Sequence, residues 1–431
     1  MNFFSQISTR GYLKSFLSVG AIQGGFMALN YLTQILLANH LSVEDYGELT
    51  YYLSLVNFFV VVVLVGQNNY LPKELIRLAS GGSYALLRRV IRRGLNNILI
   101  AWVCCVAVAF TAVYTGLISV NSYVVLTLSG IVLFLALGTY RQAFQRAFGQ
   151  VKVSQIPEKV LFAGLYLLFL GVSVFLFEVR FSVINLLTAT AGFYLLVQFA
   201  GYGLMKANLL KIPRAYQNQN TPKKPAGPLF FYLMSVIDIF DSYLDYYLLE
   251  YYAGYESLAV YSISKRVSLL IFTVIYTSNY VLGPEVSKLY FSGQVKELQT
   301  RVRKAVLLNM ALATILVLLL ILFRTPLLQM FGQYYAAETG LWVFVLLMAA
   351  QWVNVTLGAP SQILAATGFE KSVLHVFTVA VIFQLSAGWW FIGQWGITGM
   401  ALLFLINSVY WNGALQIIMK RKTGISLFSR S

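Results

Sequence analysis

Hydrophobic positions in this chain neither alternate nor trace a single helical face. They fill whole segments of twenty residues or more, broken by short stretches of Gly, Pro and charge. A helix needs roughly 20 apolar residues to cross the hydrocarbon of a bilayer, so the pattern predicts an all-α polytopic membrane protein. Twelve spans can be read, near residues 12–38, 47–71, 90–116, 122–147, 157–177, 182–205, 229–252, 257–282, 303–323, 338–366, 372–393 and 396–419. The ten-residue alternating segments of a membrane β-barrel do not occur. The apolar stretch from Tyr12 to Leu41 is too long for a signal-peptide core, and is read as an uncleaved first span.

Two six-span halves resemble each other. A shift of 212 residues pairs Glu44 with Glu256, Pro72 with Pro284, Ser80-Gly81 with Ser292-Gly293, Arg89 with Arg301 and Asn97 with Asn309. A shift near 220 pairs "LGTYRQ" (137–142) with "LGAPSQ" (357–362). An even number of spans per half inserts both in the same direction, which predicts a pseudo-two-fold axis along the membrane normal. The expected organisation is an N-terminal lobe over 1–208, a basic, Pro-rich cytoplasmic linker over 209–228 and a C-terminal lobe over 229–431, with a central cavity.

Composition sharpens this. The chain is 59% hydrophobic and 11% charged, against about 25% charged in soluble domains. A net charge of +16 would suggest nucleic acid in a soluble protein. Placement argues otherwise. With both termini cytoplasmic, 26 of the 31 Lys and Arg fall on cytoplasmic segments, as the positive-inside rule requires. The excess is a topology signal, with some attraction to membrane lipids, and no nucleic-acid partner is expected. Cys104 and Cys105 are read as packing residues. His40 and His375 fall near loop ends, and no metal cluster, Walker loop or nucleophile elbow is present. Neither enzyme activity nor a cofactor or metal is expected.

Five basic residues lie outside the cytoplasmic set: Arg141, Arg180, Lys265, Arg266 and Arg324. Lys265 and Arg266 sit inside the eighth span and Arg141 late in the fourth. The seventh span, "VIDIFDSYLDYYLLE", carries Asp238, Asp241 and Asp245 on an arc of roughly 60°. At 1.5 Å per residue they lie from about 14 to about 24 Å deep. A lipid-facing carboxylate there costs at least ~2.5–3.5 kcal/mol, so the stripe is expected to face the bundle interior or water. Under the 212-residue shift these charges match Phe26, Leu29, Thr33, Leu53 and Ser54, so fold symmetry does not require them. Structural pairing of the aspartates with Lys265, Arg266, Tyr or Ser remains open, as does snorkelling of the cations. Asn30 and Gln34 in the first span either line the cavity or bond between helices. The tyrosines Tyr246, Tyr247, Tyr251 and Tyr252 read as an interfacial belt.

Several segments carry a resemblance. "LLANHLSVEDYGELTYYLSLV" (36–56) resembles the first-loop signature of polysaccharide transport proteins. "DYYLLEYYAGYESLAVYSISKRV" (245–267), "GPEVSKLY" (283–290) and "ILAATG" (363–368) resemble pieces of their second half. The chain is similar to Wzx-type flippases of the MOP superfamily (multidrug/oligosaccharidyl-lipid/polysaccharide). The resemblance implies alternating access, with an undecaprenyl-pyrophosphate-linked oligosaccharide carried from the cytoplasmic to the periplasmic leaflet. It also implies a cationic cavity, to which Lys265, Arg266 and Arg141 are assigned. Asp238, Asp241 and Asp245 are assigned to coupling with H⁺ or Na⁺. A monomer is expected, with polysaccharide polymerase or assembly proteins as further partners. The text after Asp245 departs from the family pattern. Two alternatives stay open: a multidrug or organic-cation exporter of the same superfamily, and a non-transporting scaffold of envelope polysaccharide assembly.

Overall fold

A computed structural model describes residues 9–80, 84–117, 120–148, 150–209, 228–272, 286, 289–290, 292–357 and 359–426. Residues 210–227, most of the expected linker, and the end of the eighth span lie outside the described residues. Every described element is helical, and eight stretches are long and apolar enough to cross a membrane.

The chain runs α1 (Thr9–His40), α2 (Val43–Leu64), α3 (Gln67–Ser80), α4 (Tyr84–Tyr114), α5 (Ser122–Ala147) and α6 (Val151–Gln155). A π-helical turn, Ile156–Phe162, leads into α7 (Ala163–Phe175) and then α8 (Val183–Leu209). After α9 (Pro228–Ser268) come α10 (Val295–Leu322), α11 (Arg324–Gln329), α12 (Glu338–Leu357), α13 (Ala359–Ala366) and α14 (Glu370–Thr423).

Two of these helices are pairs of spans joined without a loop. α9 breaks at Gly254 (φ 77°, ψ 175°) and α14 at Trp395-Gly396, where Gly396 has φ 55° and ψ −137°. A side chain resists positive φ and glycine does not, so a glycine at each point lets the chain leave one helix and enter the next at once. The expected second span is longer than read, because α3 continues α2 after a break at Val65 and Gly66, and 43–78 forms one apolar stretch. The expected tenth span divides into α12 and α13.

The chain forms two compact units. Unit 1 holds residues 1–41 and 52–236; unit 2 holds residues 42–51 and 237–431. In unit 1, α5 is the hub, packed against α3, α4 and α8, while α1 packs on α7 and the π-helical turn. In unit 2, α12 packs on α14 and α10, and α13 packs on α14. Within lipid there is no hydrophobic drive between apolar helices, so small residues that let backbones approach decide the packing. Ala136, Gly138 and Ala143 serve α5, and Ala350, Ala380, Gly388 and Ala401 serve unit 2, all buried.

Cys104 and Cys105 do not pack as expected. Cys104 is exposed and Cys105 half-exposed. α4 turns most of its apolar surface outward, Ile100, Val103 and Val108 included.

Candidate functional site

The charges of unit 2 gather where α9 folds back at Gly254. Asp245 is fully buried, and its Oδ2 accepts from Lys265 Nζ at 2.5 Å and from Tyr261 Oη at 2.7 Å. Its Oδ1 accepts from the Tyr246 main-chain N–H at 3.0 Å. Lys265 also donates to the Ser242 carbonyl at 2.8 Å, and lies over the rings of Tyr246 and Phe404 at 5.0 and 5.2 Å. The Lys265 charge is thus held by a carboxylate, a carbonyl and two aromatic faces. A buried pair of this kind survives only with its remaining donors and acceptors satisfied.

The rest of the stripe is differently placed. Asp238 is exposed, and Asp241 is half-buried with a buried Oδ1 that has no hydrogen-bond partner. Among the described residues neither forms an ion pair. Arg266, next to Lys265, likewise forms no ion pair there, and its Nε is buried without an acceptor. Its near neighbours are phenols: Tyr46, Tyr243 and Tyr246. Tyr246 is buried and therefore is not part of an interfacial belt, whereas Tyr251 and Tyr252 are exposed and fit one.

Tyr46 was not foreseen as a site residue. It is fully buried, meets Tyr335 edge-on at 6.1 Å and stands beside Arg266. The next residue, Gly47, explains the approach. A Cβ there would lie 1.9 Å from the Tyr255 carbonyl oxygen, so only glycine lets α2 come this close to the α9 turn. The Tyr-Gly of the first-loop signature is thus a packing device that puts a phenol beside a cation.

Arg141 belongs to unit 1. It is buried, and its Nη2 meets both Glu158 oxygens, at 2.7 and 2.6 Å. Its Nη1 donates to Gln145 Oε1 at 2.6 Å, and Gln198 Nε2 donates to Glu158 Oε1 at 3.4 Å. Glu158 sits in the π-helical turn, an irregularity that often marks function. Two glycines make room. A Cβ on Gly138 would lie 2.5 Å from Glu158 Oε1, and one on Gly201 2.5 Å from Arg141 Nε. Asn30 and Gln34 bond to each other along α1 at 3.4 Å. Lys159 donates to Gln23 on α1 and to Gln155 at 3.3 Å.

Among the described residues the structure therefore joins Asp245 to Lys265, leaves Asp238, Asp241 and Arg266 without ionic partners, and gives Arg141 a partner the sequence did not suggest. Glu158 was legible as an acidic residue, but nothing in its spacing from Arg141 marked the pairing. Among the described residues no group of three His, Cys, Asp or Glu is placed to hold a metal ion.

With this geometry in hand, the chain can be set against known proteins. The MatE family model matches residues 231–390, which span the charged turn of unit 2. A search of curated protein sequences finds no match. Solved structures match over nearly the whole chain. One is described as the inward-facing conformation of a multidrug resistance MATE family transporter of the MOP superfamily: TM-score 0.71, 13% identity, 93% of this chain and 94% of that one. The outward-facing conformation of such a transporter gives a TM-score of 0.63 at 14% identity, with 95% of both chains covered. A MOP superfamily transporter from Pyrococcus furiosus, described as having a binding pocket of reversed polarity that suggests a different function, gives 0.64 at 13% identity, again with 95% of both covered. The protein is a multi-pass, all-helical chain with the fold of these MATE transporter structures.

Proposed function

We propose that this chain is a membrane transporter working by alternating access, and that Asp238 and Asp241 in unit 2 receive a cation during the cycle. Structures of the same fold described as inward-facing and outward-facing support the first part. The second part is carried by one observation: these two carboxylates have no ionic partner among the described residues, while Asp245 beside them is fully satisfied. Intramembrane carboxylates are expensive and are retained where they bind or move something. The neighbours' description as multidrug transporters favours an organic cation as cargo over a lipid-linked oligosaccharide, with H⁺ or Na⁺ exchanged against it. A bound cation shifts the inward–outward balance only by its differential affinity for the two states.

The test is efflux of ethidium from cells expressing the chain. Expression should lower ethidium accumulation, and D241N and D238N should each reduce the efflux rate by about tenfold, a loss of roughly 1.4 kcal/mol in the rate-limiting step. Full efflux by both variants at normal protein levels would remove the carboxylates from the cycle.

A second reading, flipping of an anionic lipid-linked oligosaccharide, is favoured by Arg266, a cation without an acidic partner among the described residues. Absence of ethidium efflux, together with build-up of a lipid-linked sugar when the gene is deleted, would establish it over the first.

A further inference from the structure

We propose that unit 2 encloses a water-binding site at mid-bilayer depth, between the side-chain amides of Gln384 and Asn407 on the two spans of α14. Gln384 lies before the Trp395-Gly396 break and Asn407 after it. Each is about a dozen residues from Gly396, so at 1.5 Å per residue both sit about 17 Å from that turn. That is the middle of a hydrocarbon layer roughly 30 Å thick. Lipid offers no hydrogen bonds there, so a polar group has to be satisfied inside the protein. Both side chains are fully buried.

The two amides complete only half of a pair. Asn407 Nδ2 donates to Gln384 Oε1 at 3.3 Å and to the Ala380 carbonyl at 3.2 Å. The other branch of each amide, Gln384 Nε2 and Asn407 Oδ1, is buried without a hydrogen-bond partner among the described residues. Exchanging oxygen and nitrogen gives no better arrangement. In Asn407 the exchange sets an oxygen against the Ala380 carbonyl, and in Gln384 it sets one NH2 against another. One donor and one acceptor therefore stay open beside a bond that is made. Further along α14 an amide of the same kind is closed by protein atoms alone. Asn354 on α12 uses both branches: its Oδ1 accepts from Asn412 Nδ2 at 2.8 Å and Trp411 Nε1 at 3.2 Å, and its Nδ2 donates to Gln351 Oε1 at 3.2 Å.

The open atoms select the occupant. A cation would suit the Asn407 oxygen but is repelled by the Gln384 NH2, and an anion meets the reverse mismatch. A water molecule accepts from Gln384 Nε2, donates to Asn407 Oδ1 and so closes the half-made pair into a ring. Buried waters hold places of this kind, typically with about three hydrogen bonds to polar groups that the protein leaves open. Ser408, next to Asn407 in the chain, has a fully buried hydroxyl that is also without a partner among the described residues, which adds hydrogen-bonding capacity on the same turn of α14. None of these groups ionises, so the site is separate from the charged turn of α9 and does not depend on which cargo unit 2 accepts. It joins the two spans of α14 through a partner that is not part of the chain.

The test is a crystal structure of the full-length chain, grown in lipid and diffracting well enough to resolve single waters. Wild type should show one density feature at about 2.7–3.2 Å from both Gln384 Nε2 and Asn407 Oδ1. In Q384M/N407L, where both open atoms are gone and the apolar volume is kept, that feature should be lost while Asn354 keeps its bonds to Trp411 and Asn412. The wild-type map decides the matter even if the double variant does not fold. No density between the two amides, or Gln384 Nε2 and Asn407 Oδ1 bonded directly to protein atoms, overturns the site. So does a metal ion there, recognised by several oxygens at about 2.3–2.6 Å, because the occupant would then not be neutral. Density that persists unchanged in Q384M/N407L also overturns it, since the amides would not be what holds the water.

Discussion

Among the described residues each unit buries one ion pair that ties two helical segments together, and the two pairs are built in opposite ways. In unit 1 a single guanidinium spans both oxygens of Glu158, and the other donor to that carboxylate is Gln198, at a long 3.4 Å. In unit 2 the Asp245 carboxylate has three donors: Lys265, Tyr261 and the Tyr246 N–H. The surroundings are opposite too. Arg146 and Lys159 give the unit 1 cluster a surplus of cations, while beside the unit 2 pair the carboxylates of Asp238 and Asp241 outnumber the one further cation, Arg266. One pair fixes a helix irregularity and leaves positive charge beside it. The other fixes a hairpin and leaves negative charge beside it. Each pair satisfies its own members and so leaves its neighbours to define the chemistry.

The largest effect should come from removing the guanidinium. R141M leaves Glu158 buried with one weak donor, and breaking a buried pair in this way costs about 3–5 kcal/mol. Thermal unfolding of the purified protein in detergent measures it. K265M should cost less, about 1.5–3 kcal/mol, because Asp245 keeps a phenol and a main-chain N–H as donors to its charge. If K265M proves as damaging as R141M, the contrast between the two pairs is wrong.

Glycines sharpen the unit 1 side. G201A puts a Cβ 2.5 Å from Arg141 Nε, and forcing the side chain aside should cost about 1–3 kcal/mol. On α7, Gly171 has nothing within 4 Å of an added Cβ, so G171A should be neutral or stabilising by up to about 1 kcal/mol through helix propensity. Equal losses at both positions would mean that α8 does not close on the ion pair as described.

Much of the fold was legible in the sequence, because long apolar segments have few alternatives in a bilayer. Twelve spans were readable, and Gly254 and Gly396 allow neighbouring spans to join without loops. The site was legible only in part. Spacing put Asp238, Asp241 and Asp245 on one stripe, but could not say that Asp245 alone would be neutralised. That outcome depends on Lys265, twenty residues away and brought back by the Gly254 turn. Arg141 and Glu158 meet through a π-helical turn, which shifts the register of facing side chains and leaves no period to read. Tyr46 was hidden for another reason. Its place beside Arg266 follows from Gly47, whose missing Cβ matters only once the Tyr255 carbonyl is seen against it.

A smaller predicted loss bears most directly on how the unit 2 pair is held. Y261F removes one neutral donor, at 2.7 Å from Asp245 Oδ2, while keeping the buried ring and its edge-on contact with Tyr246. Alone it should cost about 1.5 kcal/mol, the low end for a hydrogen bond to a charged group, because Lys265 and the Tyr246 N–H still hold Asp245. Tyr261 and Lys265 share that same oxygen, so their effects should not add. With Lys265 already replaced by Met, the phenol becomes the main remaining support of a buried charge, and its removal should cost more than in the wild type. A double-mutant cycle of Y261F and K265M should therefore give a coupling of about 0.5 kcal/mol or more. Strict additivity would mean that Asp245 is protonated or solvated once Lys265 is gone, and the three-donor description of unit 2 would then hold only while the lysine is present.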